Sequence, residues 1–147
     1  MENTKMKKAV SLQQPTEVID TVKKLAACNN DIAAVWLYGS RSKGKAQPHS
    51  DYDLAIAFNN FQLDSLEKYL RPNELAIDWS ALLNLPSDKL SIVDINLTPI
   101  YLAYNIIETG KLLYNQGTSR IWREHDRIYS QFEHQRIENQ RHDRIDR

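Results

Sequence analysis

A glycine–serine turn and two closely spaced aspartates are the residues of this chain whose types and spacing could do chemistry. Gly39 and Ser40 end an apolar run, and Asp51 and Asp53 head the next apolar run after ten intervening residues. A glycine lets the backbone approach a phosphate oxygen closely, and exposed N–H groups and a hydroxyl can bind it. Two neighbouring carboxylates repel each other unless a proton or a divalent cation lies between them. The combination predicts a site for a phosphate and a hard cation.

Two basic residues follow the turn. Arg41 and Lys43 lie within reach of a triphosphate bound at Gly39 and could balance its charge. Ligand sets made only of oxygen favour Mg²⁺ or Mn²⁺ over zinc, and a nucleoside triphosphate commonly supplies further ligands. A glycine–serine pair is common in turns, however, and both aspartates could simply begin a strand and face solvent. The chemistry is therefore indicated by the spacing of the two pairs and not by either pair alone.

A third aspartate, Asp94, lies in an apolar stretch between Val93 and Ile95. An unpaired carboxylate is costly in such surroundings. If its strand neighbours the strand of Asp51 and Asp53, Asp94 completes a three-carboxylate cluster. Such a cluster can hold two metal ions that bridge phosphates and activate an attacking oxygen, and Asp94 would be the general base or a ligand of the second ion. The alternative is a structural aspartate that caps a turn.

Two strands must position the turn and the first two aspartates. Residues 32–38 are an unbroken apolar run, which predicts a strand buried on both faces and central in a sheet. Residues 51–58 alternate, which predicts a second strand with Asp51 and Asp53 on one face. Residues 39–50, between the two runs, predict a loop with at most one helical turn.

The remaining periodicity adds helices and two further strands. Residues 90–97 alternate and predict a third strand, and residues 111–114 are a candidate fourth. Asp64 and Glu67 resemble a capping box, and Pro72 is expected to interrupt the helix that they open. The predicted helices are residues 15–28, 64–70, 73–84, 98–109 and one that Thr118 or Ser119 caps. This order indicates a small α/β (α+β) domain with a mixed sheet, preceded by a loose polar segment at residues 1–14.

Composition narrows the class of protein. The 147 residues carry a formal net charge of zero, which argues against broad electrostatic binding of nucleic acid. The one cysteine, Cys28, excludes an internal disulfide framework and is expected to be a buried structural thiol in a reducing compartment. No apolar run approaches the ~20 residues that cross a membrane, and no signal-peptide core follows the N-terminal lysines. The expectation is a single-domain cytoplasmic protein.

The spacing of the site residues resembles a known family signature. Gly39-Ser40, ten residues and then Asp51-Tyr52-Asp53 resemble the GS-x10-DxD motif of the DNA polymerase β-like nucleotidyltransferase superfamily. Residues 39–44 and 50–54 are similar to its minimal branch, the MNT-domain (MntA-like) proteins. The resemblance runs to about Tyr114 and implies the polymerase β-like fold, a small mixed sheet with flanking helices. In that family a third carboxylate lies on a later strand, and Asp94 would match it.

The resemblance also implies an activity. Members use ATP and Mg²⁺ to transfer AMP with release of pyrophosphate, so two Mg²⁺ ions, with Mn²⁺ as the alternative, are expected at Asp51, Asp53 and Asp94. Many small members are antitoxins of type VII-like pairs, encoded beside a HEPN-domain (HepT-like) toxin ribonuclease. These antitoxins bind the toxin and modify one of its tyrosines with AMP. A hetero-oligomer with such a toxin is therefore the expected assembly. The nucleotide-binding residues would be Gly39, Ser40, Arg41 and Lys43.

Two alternatives and the role of the C-terminus stay open. The acceptor could instead be a small molecule such as an aminoglycoside, or the chain could be an antitoxin that only binds its toxin. Residues 1–117 are expected to form the minimal nucleotidyltransferase domain, and residues 118–147 an amphipathic helix and tail outside the shared core. The first half of that helix is expected to pack on the core, and the second half to be solvated, disordered or docked on a partner.

Overall fold

The protein is described by a computed structural model that covers residues 14–145, with side chains to residue 143. The loose segment expected at the N-terminus falls, but for its last residue, outside the described residues. The first helix, α1, spans Pro15–Ala27, with Pro15 in the first turn, where no backbone N–H is needed. The first strand, β1, spans Ile32–Tyr38 as predicted. Cys28, expected to be buried, is instead exposed because it caps the end of α1.

The sheet has four strands in the order β3-β2-β1-β4. β2 spans Tyr52–Phe58, β3 Leu90–Asp94 and β4 Lys111–Asn115. β1 is antiparallel to both β2 and β4, whereas β2 and β3 are parallel. The expected mixed sheet is therefore confirmed, and β1 is buried on both faces as its apolar run predicted. The alternating β2 is also almost entirely buried, because it is the other central strand.

A long helix provides the crossover from β2 to β3. This helix, α2, spans Ser65–Leu82, and Asp64 caps it by accepting a hydrogen bond of 2.8 Å from the Glu67 N–H. The prediction that Pro72 divides this segment into two helices is wrong, because Pro72 lies inside one continuous helix. Pro72 is buried, and the helix packs Ala76 and Trp79 on the sheet, which offsets the cost of the missing hydrogen bond.

Two helices lie on the opposite face of the sheet. α3 spans Ile100–Thr109, and α4, the longest helix, spans Arg120–Ile145. α1 and α2 pack on one face against the larger apolar residues of β1 and β2, such as Leu54. α3 and α4 pack on the other face, where Ala55 and other small residues leave room for them. The domain is thus a three-layer arrangement with one sheet in the middle.

The first half of α4 packs on the core as expected. Ile121 and Ile128 are buried, and the ring of Phe132 stacks on Tyr104 with 3.7 Å between centroids. The helix continues beyond Phe132 to Ile145, and Asn139 donates a hydrogen bond of 2.6 Å to the Tyr101 hydroxyl. Within residues 14–145, no helix is long and apolar enough to cross a membrane.

Candidate functional site

The antiparallel pairing of β1 and β2 places the glycine turn beside the aspartates. Tyr38, the last residue of β1, is paired with Asp53, so the turn that follows β1 lies against the start of β2. Gly39 has a φ of +75°, a conformation that other residues rarely adopt. A Cβ atom at Gly39 would also lie 2.5 Å from the Asp53 Oδ2 atom, so any other residue would displace the Asp53 carboxylate. The backbone conformation and the position of Asp53 therefore both favour glycine.

Ser40 and Lys43 are placed to meet a phosphate. Gly39–Arg41 form one turn of 3-10 helix, and the Ser40 carbonyl accepts hydrogen bonds from the N–H groups of Lys43 and Lys45 at 3.2 and 3.1 Å. The Ser40 hydroxyl makes no hydrogen bond to another residue in the described part of the chain. Lys43 is exposed beside this turn. The hydroxyl and the ammonium group are thus both available to a ligand.

Arg41, which is predicted to bind phosphate, contacts the loop that follows the turn. Its Nε and Nη2 atoms donate hydrogen bonds to the Ser50 carbonyl at 3.1 and 2.8 Å, and its guanidinium lies 3.9 Å from the centre of the Tyr52 ring. Nη2 also lies within hydrogen-bond distance of the Pro48 carbonyl. These contacts use the guanidinium to close the loop immediately before Asp51. Arg41 therefore holds the loop that positions the aspartates.

Asp51 and Asp53 lie together as the alternation predicted. Asp53 is partly buried; burial raises its pKa, and the negative charge of Asp51 raises it further. Burial, and after it the charge of Asp53, raises the pKa of the neighbouring Tyr38 to about 12. In both shifts burial is the larger cause, and the negative charge of a neighbouring carboxylate adds to it. A divalent cation would neutralise that charge.

Sequence reasoning missed one charged neighbour of this pair. Lys89 comes just before β3, and its Nζ atom lies 3.7 Å from the Asp51 Oδ1 atom. A third strand that begins at Leu90 and runs parallel to β2 brings the preceding lysine beside Asp51. The sequence predicted the third strand but not its place beside β2, so Lys89 could not be assigned to the site in advance.

Asp94 does not join the other two aspartates. The parallel register pairs Asp94 with Ile56, whose side chain belongs to the core beneath α1 and α2. Asp94 therefore points to the opposite face of the sheet from Asp53, where its Oδ2 atom lies 3.5 Å from Nη2 of Arg71. Its other oxygen, Oδ1, accepts a hydrogen bond of 2.8 Å from the Asn96 N–H. The expected three-carboxylate cluster is wrong, and Asp94 is the structural aspartate of the alternative interpretation.

The donor set that remains suits a hard cation. Among residues 14–143, no group of three or more histidine, cysteine, aspartate or glutamate residues is placed to hold a metal ion. Asp51 and Asp53 supply carboxylate oxygens only, which favours Mg²⁺ or Mn²⁺ completed by water and phosphate. Because Gly39 has no Cβ atom, the turn places no side chain against the Asp53 Oδ2 atom. The residues present fit one divalent cation with a polyphosphate.

Known proteins resemble this chain in sequence and in fold. A protein adenylyltransferase, MntA of Aphanizomenon flos-aquae (strain 2012/KM1/D3), is 28% identical over 85 residues, which are 54% of this chain and 55% of that protein. The chain thus matches about half the length of this curated relative. A crystal structure of a toxin–antitoxin with AMP-PNP has a TM-score of 0.66 and 23% identity, over 83% of this chain and 92% of that chain.

A second solved structure shares the fold. It holds the tri-AMPylated HEPN toxin of Shewanella oneidensis in complex with its MNT antitoxin, and it matches with a TM-score of 0.63 and 20% identity. The match covers 86% of this chain and 93% of the matched chain. These similarities show the fold that this chain shares with both structures.

The family model described as polymerase beta, nucleotidyltransferase matches residues 20–119. This range is more than half of the chain and contains all four strands, the Gly39–Ser40 turn and the Asp51–Asp53 pair. The glycine–serine turn of the sequence motif packs directly against Asp53 in the structure, so the motif and the observed contact involve the same residues. The chain belongs to the polymerase β nucleotidyltransferase family.

Proposed function

We propose that this chain is an antitoxin that transfers AMP from ATP to a tyrosine hydroxyl of a cognate HEPN-domain toxin ribonuclease. The observation that carries the proposal is the close packing of Gly39 on Asp53, which joins a phosphate-binding turn to a carboxylate pair. The similar protein of Aphanizomenon flos-aquae is named an adenylyltransferase, and the similar Shewanella oneidensis complex holds an AMPylated HEPN toxin. Both support AMP as the group transferred, and the second supports a HEPN toxin as the acceptor.

The transfer needs little covalent chemistry from the protein. The tyrosine oxygen attacks the α-phosphorus of ATP, the bond from that phosphorus to the oxygen bridging the β-phosphorus breaks, and pyrophosphate leaves. The hydroxyl proton passes to solvent. Asp51 and Asp53 would hold Mg²⁺, which supplies positive charge to the phosphates when it is bound. The Gly39 turn, the Ser40 hydroxyl and Lys43 would orient the triphosphate for in-line attack.

We also propose how the chain is divided. Residues 1–117 would be the nucleotidyltransferase domain, and residues 118–147 the C-terminal segment, whose helix α4 packs on that domain and would dock on the toxin. The long α4 supports this division, because its buried residues lie in its first three turns and polar or charged residues make up most of the remainder. A surface of that kind fits a protein partner better than a second hydrophobic core.

The decisive experiment incubates the protein with labelled ATP, Mg²⁺ and the protein encoded by the neighbouring gene. We expect label on a tyrosine of that protein. The Asp51→Asn, Asp53→Asn double variant should lose transfer because it lacks the carboxylates that would hold the cation. Asp20→Asn, an exposed aspartate on α1, is the matched control and should keep it. Transfer that persists in the double variant would refute the mechanism.

The absence of a third carboxylate beside Asp53 in the described part of the chain favours one alternative, an antitoxin that acts by binding alone. The same variants separate the two functions. If the double variant neutralises the toxin as well as the wild type does, binding suffices. If the neighbouring gene encodes no HEPN protein and label passes instead to an aminoglycoside, the acceptor is a small molecule.

A further inference from the structure

β3 is the strand that could add a ligand beside the two aspartates, and it presents no carboxylate there. In the parallel register Tyr52 is paired with Leu90 and Asp53 with Ser91. Lys89, the last residue of a 3-10 turn just before the strand, forms an ion pair of 3.7 Å with Asp51. The neighbours of the aspartates on this side are thus a lysine and a serine.

The side chains of β3 alternate between the two faces of the sheet, and only those on the Asp53 face can reach the site. Leu90 and Ile92 are buried in the core beneath α1 and α2, and Asp94 follows them on that face. Ser91 and Val93 therefore occupy the other face, and Val93 packs with the core beneath α3 and α4, to which Ala55 also belongs. Asp53 shares this face, so Ser91 is its direct neighbour at the strand spacing of about 4.8 Å.

Asp94 is too far along the strand as well as on the wrong face. It lies three residues beyond Ser91, which is about 10 Å at the rise of a strand. Its oxygens are engaged by Arg71 and by the Asn96 N–H. A rotation of the Asp94 side chain cannot bring it through the sheet to the other carboxylates.

We infer that this chain has a one-ion site, in which Ser91 occupies the position where a third carboxylate would be needed to hold a second ion. The inference rests on the proposed function in taking a nucleotide as the ligand. Two carboxylates neutralise one divalent cation, so a second ion would have only phosphate oxygens and neutral donors as further ligands, and a serine hydroxyl adds no charge. Lys89, which lies 3.7 Å from Asp51, would supply additional positive charge beside the phosphates.

The structure allows a direct gain-of-ligand experiment. Ser91 is exposed, so Ser91→Asp adds a carboxylate beside Asp53 without filling the core. We expect Ser91→Asp to bind Mn²⁺ at least about tenfold more tightly than the wild type in calorimetric titration without nucleotide. Ser91→Asn has nearly the same shape without the charge and should bind Mn²⁺ as the wild type does. Equal affinities of the Asp and Asn variants would overturn the inference.

The number of ions has its own readout. With Mn²⁺ and a non-hydrolysable ATP analogue, the wild type should give the electron paramagnetic resonance spectrum of isolated ions. Ser91→Asp should give that of a spin-coupled pair, because paired ions lie about 3.5–4 Å apart. A coupled pair in the wild type would refute the one-ion site. These measurements need no toxin, so they fail or succeed independently of AMP transfer.

Lys89 can be tested separately. Lys89→Gln removes the cation that competes for Asp51, so Mn²⁺ binding without nucleotide should tighten, whereas binding of the ATP analogue should weaken several-fold. Lys111→Gln, an exposed lysine on β4, is the matched control and should change neither. Unchanged nucleotide affinity in Lys89→Gln would refute the role assigned to Lys89.

Discussion

At the scale of single residues, the site depends on positions where one residue type is required. Gly39 combines a left-handed backbone with contact to the Asp53 carboxylate, whereas Gly44 has a similar φ of +69° and open space within 4 Å of the point where a Cβ would lie. Comparing substitutions at the two glycines therefore distinguishes the effect of the left-handed backbone from the effect of the contact with Asp53. The first constraint is local, and the second arises only because β1 and β2 pair.

Gly39→Ala is predicted to damage both stability and ligand binding. The left-handed conformation costs an alanine about 1–2 kcal/mol, and the added methyl group displaces the Asp53 carboxylate. Urea unfolding and Mn²⁺ titration measure the two effects. Gly44→Ala should show the loss of stability alone. If Gly39→Ala bound Mn²⁺ like the wild type, the contact with Asp53 would not shape the site.

Asp94→Asn and Asp53→Asn are predicted to differ in their effect on Mn²⁺ binding. Asp94 is 5% exposed, and burial raises its pKa despite the contact with Arg71, so its neutralisation should change the free energy of unfolding little and leave Mn²⁺ affinity unchanged. Asp53→Asn relieves the repulsion from Asp51 and should fold at least as stably, but it should lose Mn²⁺ binding. Denaturant unfolding combined with calorimetry tests both. Loss of Mn²⁺ binding in a folded Asp94→Asn variant would restore Asp94 to the site.

At the scale of elements, a buried polar cluster fixes α4 on the domain. Arg120 donates hydrogen bonds to Glu124 Oε1, to the Phe58 carbonyl and to Asn96 Oδ1 at 2.8, 2.8 and 2.7 Å. Arg127 adds a hydrogen bond of 2.9 Å to Glu124 Oε2. Glu124 thus joins two arginines of its own helix to the end of β2 and the turn after β3. This cluster positions the start of α4 at the opposite end of the sheet from Gly39.

The stability that Glu124 contributes is predicted to depend on pH. Burial alone would raise its pKa, but hydrogen bonds from Arg120, Asn96 and Arg127 outweigh burial and lower the pKa below its ordinary 4.5. A lowered folded pKa means that the contribution is complete above the unfolded pKa and is lost as pH falls through the folded one. The free energy of unfolding should therefore fall on acidification below about pH 4.5.

Glu124→Gln supplies the comparison. It should cost about 3 kcal/mol at neutral pH, because Arg120 is left buried without its counter-charge. It should also remove this part of the acid dependence. Glu133→Gln, an exposed glutamate of the same helix, is the control and should change stability little. Equal acid sensitivity in Glu124→Gln and the wild type would contradict the role of the cluster.

At the scale of the whole molecule, the sheet separates two kinds of surface. The Gly39–Asp53 site lies at one end of the sheet, while the second half of α4 extends past the packed core as a charged helix. Its ion pairs, such as Glu133–Arg136 and Glu138–Arg141, are exposed and add little to stability. This segment is therefore better suited to contact with a partner than to holding the fold.

Truncation after Phe132 is predicted to leave the domain folded and to weaken toxin binding by at least about tenfold, the loss of about 1.4 kcal/mol of contacts. The truncated chain retains the buried residues of α4 and the Arg120–Glu124 cluster. Thermal unfolding checks the fold, and calorimetric titration of the toxin measures affinity. Toxin binding that stays unchanged would count against docking by the second half of α4.

The local features of the site could be predicted from the sequence. The apolar run of residues 32–38 and the alternation of residues 51–58 predicted β1 and β2, because side-chain period and burial are properties of neighbouring residues. The same alternation put Asp51 and Asp53 on one face, and their distance from Gly39–Ser40 identified the family.

The tertiary structure decided which distant residues join that site. The register of β2 with β3 is set across the α2 crossover, and a shift of one residue would exchange the faces of every β3 side chain. No local sequence pattern encodes this register. The register places Ser91 and Lys89 beside the aspartates, and it directs Asp94 toward Arg71. The sequence alone thus determined the Gly39–Asp53 half of the site. The packing of β3 on β2 determined that the other half carries a lysine and a serine instead of a third carboxylate.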